Sequence, residues 1–260
     1  IGTHNYQILR ANRSNPEMAE GTGWTYNHAP MLAYWNGYFL CEYLSNPFGE
    51  HVPPGVTLVV KSKDGMHWEK PEIVFPVYST SKIIDEELFT ISNHMHQRMG
   101  FHLSPNGKLL VMGHYGGNDG NSIGRVVREV YNDFTFGPIY FIRTSDKWDS
   151  ELLYPMYTES GDEEFIAACN SFLSDKIRRI QWWEEDFLAA DAAEFYMPFE
   201  RQKAFCFYSI SDSITIGLFK RRMMTWTKNG GMSWQEPFET ENLTYGGAKI
   251  WGQKLDNGQY

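Results

Sequence analysis

The sequence predicts an all-β fold assembled from repeated four-stranded antiparallel units, and three observations carry that prediction. Short apolar segments alternate with turn signals along most of the 260 residues. Two related tight turns recur far apart, Ser62-Lys63-Asp64-Gly65-Met66-His67-Trp68 and Thr227-Lys228-Asn229-Gly230-Gly231-Met232-Ser233-Trp234. Aromatic residues reach 16%, with 9 Trp and 15 Tyr, a density common in β folds, where most rings belong to the core.

In chain order, residues 31–35 and 38–43 flank Asn36-Gly37, a strong hairpin signal. Residues 56–61 and 68–75 flank the first tight turn, and these four strands make the first unit. Residues 97–103, 108–114, 124–131 and 135–142 make a second, with an inner turn at Pro105-Asn106-Gly107. The pattern then breaks. Residues 163–175 place Ile166, Cys169 and Leu173 at helical spacing after an acidic start at Asp162. The Ala-rich residues 187–195 also read as helix, so a helical insertion is expected near 162–195. Residues 204–209, 213–220, 222–227 and 234–238 make a third unit around the second tight turn. Another begins near Ala248. Residues 249–260 read as a strand, an Asp-Asn-Gly turn and the start of a return strand, so the expectation is a truncated chain.

In each tight turn a hydroxyl residue opens the loop and Asp or Asn folds back onto the local backbone. Gly supplies a positive φ, and Trp drops into the core beside the next strand. The pattern resembles the Asp box of sialidase-like β-propellers, S/T-x-D/N-x-G-x-x-W, although the first copy is one residue short. Two ordinary hairpins are the plainer reading of the same residues. The resemblance implies a β-propeller occupying residues 1–260 as one incomplete domain.

Net charge is −9 and no long basic run occurs, which argues against nucleic acid and anionic membranes as partners. Cys41, Cys169 and Cys206 are odd in number and widely spaced, so no disulfide framework is expected. No apolar run reaches membrane-spanning length.

Candidate chemistry falls in a few stretches. Thr25-Tyr26-Asn27-His28-Ala29-Pro30 precedes the first strand, and a His there suits proton donation to a glycosidic oxygen. The ordinary reading is a His satisfied by backbone at a strand start. Glu50-His51-Val52-Pro53-Pro54-Gly55 is a rigid loop that aims His51, or an exposed loop His. In residues 93–102, His94 and His96 share a strand face, yet nothing else supports a metal, and Arg98 is the residue expected to turn to the pore. Arg125 and Arg128, three apart in a strand, face opposite sides; one can meet a ligand carboxylate, and Arg128 can pair with Glu129. Gln181-Trp182-Trp183-Glu184-Glu185-Asp186 has the rings, amide and carboxylates of a sugar subsite, or of a helix with an acidic solvated end.

Together these stretches, with Trp24 to Trp35 and Gly247-Ala248-Lys249-Ile250-Trp251-Gly252-Gln253, resemble the seven-bladed propeller enzymes that remove terminal rhamnose from rhamnosyl-α-1,4-glucuronate ends of arabinogalactan. The resemblance implies about four of seven blades here. It implies catalysis by His28 and His51, and substrate contacts from Arg98, Arg125, Gln181, Trp182, Lys249 and Gln253. It implies an oligosaccharide or polysaccharide substrate, periplasmic or secreted location and no metal in the chemistry, with structural calcium left open. Elimination and hydrolysis both stay open. A sialidase-like hydrolase lacks its expected Arg-Ile-Pro stretch in residues 7–13, and a non-catalytic sugar-binding propeller is the third reading.

Overall fold

The computed structural model describes residues 4–50, 52–84, 87–92, 94–95, 100–116, 122–145, 148, 150–182 and 204–241. They fall in two units, Ile1–Ser171 and Phe172–Tyr260.

The first unit begins with a four-stranded antiparallel sheet in simple up-and-down order: β1 (Tyr26–Trp35), β2 (Tyr38–Asn46), β3 (Val56–Ser62) and β4 (Glu72–Phe75). Asn36 and Gly37 join β1 to β2 with φ of 48° and 79°, the two positive values that a type I′ hairpin turn requires. Residues 40–46 are buried at every position, because β2 feeds two cores. Leu40 and Leu44 point to one face with Val59, while Cys41 and Tyr43 point to the other with Leu58 and Val60. Ile8, Leu9 and Trp24 from the N-terminal segment cover that second face.

The first tight turn closes as its composition demands. Asp64 Oδ1 accepts hydrogen bonds from the amides of Met66 and His67, both at 2.8 Å. Ser62 Oγ accepts from Gly65 N at 2.9 Å, and Trp68 Nε1 donates to Gly65 O at 3.1 Å. The hydrogen bond from the His67 side chain, then those from the His67 and Met66 amides, hold the Asp64 carboxyl well below the usual carboxylate range.

A hairpin, β5 (Ser79–Ile84) and β6 (Glu87–Ser92), follows and was not legible in the pattern. Residues 85–86, between its strands, are Asp-Glu and carry none of the Gly or Asn that punctuates the other turns. The second large sheet contains β7 (His94–Met95), β8 (Gly100–Leu103), β9 (Leu109–Gly116), β10 (Ser122–Val130) and β11 (Tyr140–Thr144), with β7 and β8 both pairing β9. Its Val111, Tyr115, Val126 and Phe141 share one core with Leu40, Leu44, Val59 and Phe75 of the first sheet.

Arg128 ties the two sheets together. Its guanidinium donates to Val74 O at 2.8 Å, Gly137 O at 2.6 Å and Phe136 O at 3.2 Å. The expected pairing with Glu129 is therefore corrected: Glu129 faces the other side of β10 and binds Lys108 Nζ at 2.9 Å. Alternation along the strand separates the two neighbours.

Asp162 caps α1 (Glu163–Ser174), its Oδ1 accepting from Phe165 N at 3.0 Å. Within the first unit this helix covers the far face of the second sheet. His102 Nε2 lies 2.8 Å from Ser171 Oγ, and Tyr140 packs on Phe165. The helix expected over 163–175 is thus present; the one expected over 187–195 lies outside the described residues. The second unit holds a four-stranded antiparallel sheet of β12 (Cys206–Ser209), β13 (Thr215–Leu218), β14 (Met223–Thr227) and β15 (Phe238–Glu239). Its tight turn repeats the first, with Asn229 Oδ1 accepting from Ser233 N at 3.0 Å and Thr227 Oγ1 from Gly231 N at 3.1 Å.

Glu42 is the anomaly of the core. It is fully buried on the β2 face shared by Leu40 and Leu44, and neither carboxyl oxygen has a hydrogen-bond partner among the described residues. Burial pushes its pKa well above the ordinary 4.5, because an ion there would lose its hydration without compensation. The folded protein holds this proton and the unfolded chain releases it above about pH 4.5. The stability Glu42 contributes is complete below that pH and is lost as pH rises toward the folded value. Glu42→Gln should therefore gain on the parent protein as urea unfolding is moved from roughly pH 5 to pH 8. A difference in midpoint independent of pH would show that Glu42 is not proton-linked to folding.

Candidate active site

The start of β1 is shaped by Pro30, which has no N–H to give to the ladder. The register with β2 shifts between His28 and Met31: His28 opposes Leu44 and Met31 opposes Glu42, so Ala29 and Pro30 stand against Tyr43 alone. Ala29 sits at φ 53°, a conformation that disfavours a residue with a Cβ, and such outliers concentrate at functional sites. Tyr26 and His28 alternate along the strand and so share a face, with ring centroids 5.6 Å apart.

The third member comes from the loop after β2. Asn46 Nδ2 donates to Gly49 O at 3.2 Å and to Glu50 O at 3.0 Å. Thr25 N donates to Pro47 O at 3.0 Å, and Arg13 Nη2 donates to Phe48 O at 2.8 Å. These bonds seat the loop against the start of β1. Glu50 Oε1 comes within 3.8 Å of His28 Nε2, and the Glu50 carboxylate acts on the neighbouring Tyr26 phenol. His28 and Glu50 keep 36% and 34% of their side-chain surface exposed, so a ligand can reach both. Burial, and then the charge and hydrogen bond of Glu50, push the Tyr26 phenol up to about 12. Tyr26 is therefore a neutral hydrogen-bond donor at ordinary pH.

The arrangement is a proton-handling cluster. The Glu50 charge complements the protonated imidazole, which is the form that donates a proton. At 3.8 Å, His28 and Glu50 stand too close together to flank a sugar ring from opposite sides, where two carboxyls of an inverting pair are about 6.5–9.5 Å apart. Glu50 thus serves His28 and Tyr26 rather than attacking from the opposite face.

Of the residues expected at the site, His28 is placed among groups of the right chemistry. Arg125 is not with it: the residue is 1% exposed and opposes His114 and Arg143. It lies on the face of the second sheet turned away from the core shared with β2. α1 packs on that same face through His102 and Tyr140, so Arg125 is not brought together with His28. His51, Arg98, Lys249 and Gln253 lie outside the described residues, as do the side chains of Gln181 and Trp182 at the end of a short 3-10 helix, Arg178–Trp182. Tyr26 and Glu50 were missed. Tyr26 was legible as the residue two before His28 in a strand. Glu50 was hidden because its neighbour His51 drew the chemical reading of that loop.

Comparison with known proteins gives the family. The family model described as BT_1020-like, N-terminal beta propeller, matches residues 1–199. A solved structure titled "Sialidase" is 40% identical and superposes with a TM-score of 0.86, over 97% of this chain and 25% of that one. The chain therefore spans a minor part of that protein's length. A protein of unknown function from Dyadobacter fermentans DSM 18053 is 11% identical, with a TM-score of 0.48, over 88% of this chain and 71% of that one. No curated protein matches. The expected all-β propeller architecture is met.

The seating of the loop is testable apart from any activity. Asn46→Ala removes both donated bonds and should cost about 1–3 kcal/mol, the net worth of two intramolecular hydrogen bonds. It should also speed hydrogen exchange at the Val52 amide, which donates to Gly49 O at 3.2 Å, while β2 amides stay protected. Unchanged exchange at Val52 would show that Asn46 does not hold the loop.

Proposed function

The chain belongs to the BT_1020-like N-terminal β-propeller family, and from that premise we propose that it is the propeller part of a glycan-cleaving enzyme, with His28 as its proton donor. The observation that carries the reading is the convergence of Tyr26, His28 and Glu50 at the accessible end of β1 and β2. The protonated imidazole donates to the departing glycosidic oxygen, the Glu50 carboxylate complements the imidazolium charge at 3.8 Å, and His28 takes a proton back from water afterwards. Tyr26, neutral beside Glu50, offers a phenolic oxygen to the bound sugar.

The substrate we propose is a saccharide end that carries a carboxylate. The finer form is a rhamnose-α-1,4-glucuronate terminus, supported by the sequence resemblance around His28, His51 and Arg98. In elimination, an Arg on the uronate carboxylate acidifies the C5 proton, a base removes it, and His28 protonates the departing O4. In hydrolysis, His28 acts as acid and water replaces the leaving group. A second reading, a sialidase-like hydrolase, is favoured by a specific pair of observations. A 40% identical structure carries that title, and a Tyr beside a carboxylate, as Tyr26 is beside Glu50, is an arrangement in which a phenol can act as nucleophile.

The test uses the intact, longer protein with gum arabic and with a sialylated oligosaccharide. Rhamnose release that falls at least about a hundredfold in His28→Ala supports the finer form. A product absorbing in the ultraviolet selects elimination; its absence selects hydrolysis. Sialic acid release that falls in Tyr26→Phe selects the second reading. Release from either substrate at full rate in His28→Ala and Tyr26→Phe would contradict the assignment.

A further inference from the structure

The face of the first sheet turned away from the His28 side of β1 carries a second cleft. Ile8, Leu9 and Trp68 pack there on Cys41, Tyr43 and Leu58, whereas His28 stands opposite Leu44, whose side chain points to the other face. There the N-terminal segment and the chain following the first tight turn line an open cleft of about 640 Å³, within the range of about 300–1,000 Å³ typical of small-molecule sites. Six side chains supply its chemistry: Gln7, Arg10 and Glu20 from the N-terminal segment, and Trp68, Glu69 and Lys70 from the other wall.

We propose that this cleft is an ancillary binding site for a neutral oligosaccharide, separate from the His28 cluster. Trp68 is half-buried, with its lower surface on the Ile8, Leu9 and Leu58 core. Its Nε1–H is already committed to Gly65 O, so the ring surface rather than the polar edge is what it offers a ligand. A sugar face stacks on such a ring. Around it stand planar groups that donate and accept: the Arg10 guanidinium, the Gln7 amide, and the carboxylates of Glu20 and Glu69. The two cations, Arg10 and Lys70, balance the two anions, Glu20 and Glu69. A net-neutral lining with both donors and acceptors suits hydroxyl groups, whereas a uronate or phosphate would meet two carboxylates.

The walls are held in place without the ligand. Arg10 N donates to Glu20 Oε2 at 2.9 Å and Glu20 N donates to Arg10 O at 2.9 Å, closing the N-terminal segment on itself. Gly21 packs so closely on the far wall that a Cβ there would lie 3.0 Å from Pro71 Cγ. Lys61 Nζ, 3.3 Å from Glu69 Oε2, fixes the base of the opposite wall. A preformed cleft of this kind loses little entropy on binding.

The experiment is an array of neutral and uronate-containing oligosaccharides probed with the full chain, followed by NMR titration of the best-bound glycan. Neutral glycans should bind and shift the Trp68 indole N–H resonance. Gln7→Ala and Arg10→Ala, both exposed, should weaken binding at least about tenfold without lowering thermal stability. Trp68→Ala should abolish binding, with the two exposed variants guarding against simple unfolding. His28→Ala should bind as the parent protein does, which keeps this test independent of the proposed catalysis. Preferential binding of uronates, or binding untouched by Gln7→Ala and Arg10→Ala, or no glycan bound at all, would overturn the proposal.

Discussion

The structure of the first unit depends on a strand that is buried on both faces. Residues 40–46 of β2 alternate between two cores, and their backbone pairs with β1 on one side and β3 on the other. A strand so enclosed has one usable register, because a slip of one residue would exchange its two core faces. That fixed register makes the two-residue bulge at Ala29 and Pro30 unavoidable once Pro30 denies the ladder a donor. The bulge and the loop leaving Asn46 then bring His28, Tyr26 and Glu50 together at the same end.

Two ionisable residues lie between the sheets and resolve the cost of burial differently. Arg128 keeps its charge by donating to three backbone carbonyls, one on the first sheet and two beside its own, although burial draws its pKa down. Each such bond from a charged donor contributes about 1.5–3 kcal/mol, so the guanidinium acts as a cross-link between the sheets. Glu42 has no comparable set of donors among the described residues and gives up its charge instead. One buried group specifies how the sheets dock, and the other makes the fold sensitive to pH.

Much of this architecture was legible because turn chemistry is local. Asn36-Gly37, the two Trp-terminated turns and Asp162 each act through their own backbone, and each formed the turn or cap that its composition implied. The β5–β6 hairpin was not legible, since its Asp85-Glu86 link lacks such residues. The candidate site was half legible. His28 stood out by residue type and position. Glu50 acquires its role only through Asn46, Thr25 and Arg13, contacts that no strand period encodes. Arg125 was read correctly as facing away from Arg128, but which face looks toward β2 is decided by sheet packing and not by alternation.

The claim at the centre of this account is that the loop after β2 holds Glu50 against Tyr26 beside His28. The direct measurement is the titration of Tyr26, followed by NMR of ¹³C-labelled tyrosine ring carbons and assigned with Tyr26→Phe. In the parent protein Tyr26 should titrate near about 12. Glu50→Gln removes the charge and the strong acceptor, so the titration should move down toward the ordinary value of 10.0, short of reaching it because burial remains. A Tyr26 titration that Glu50→Gln leaves unmoved would contradict the assembled cluster.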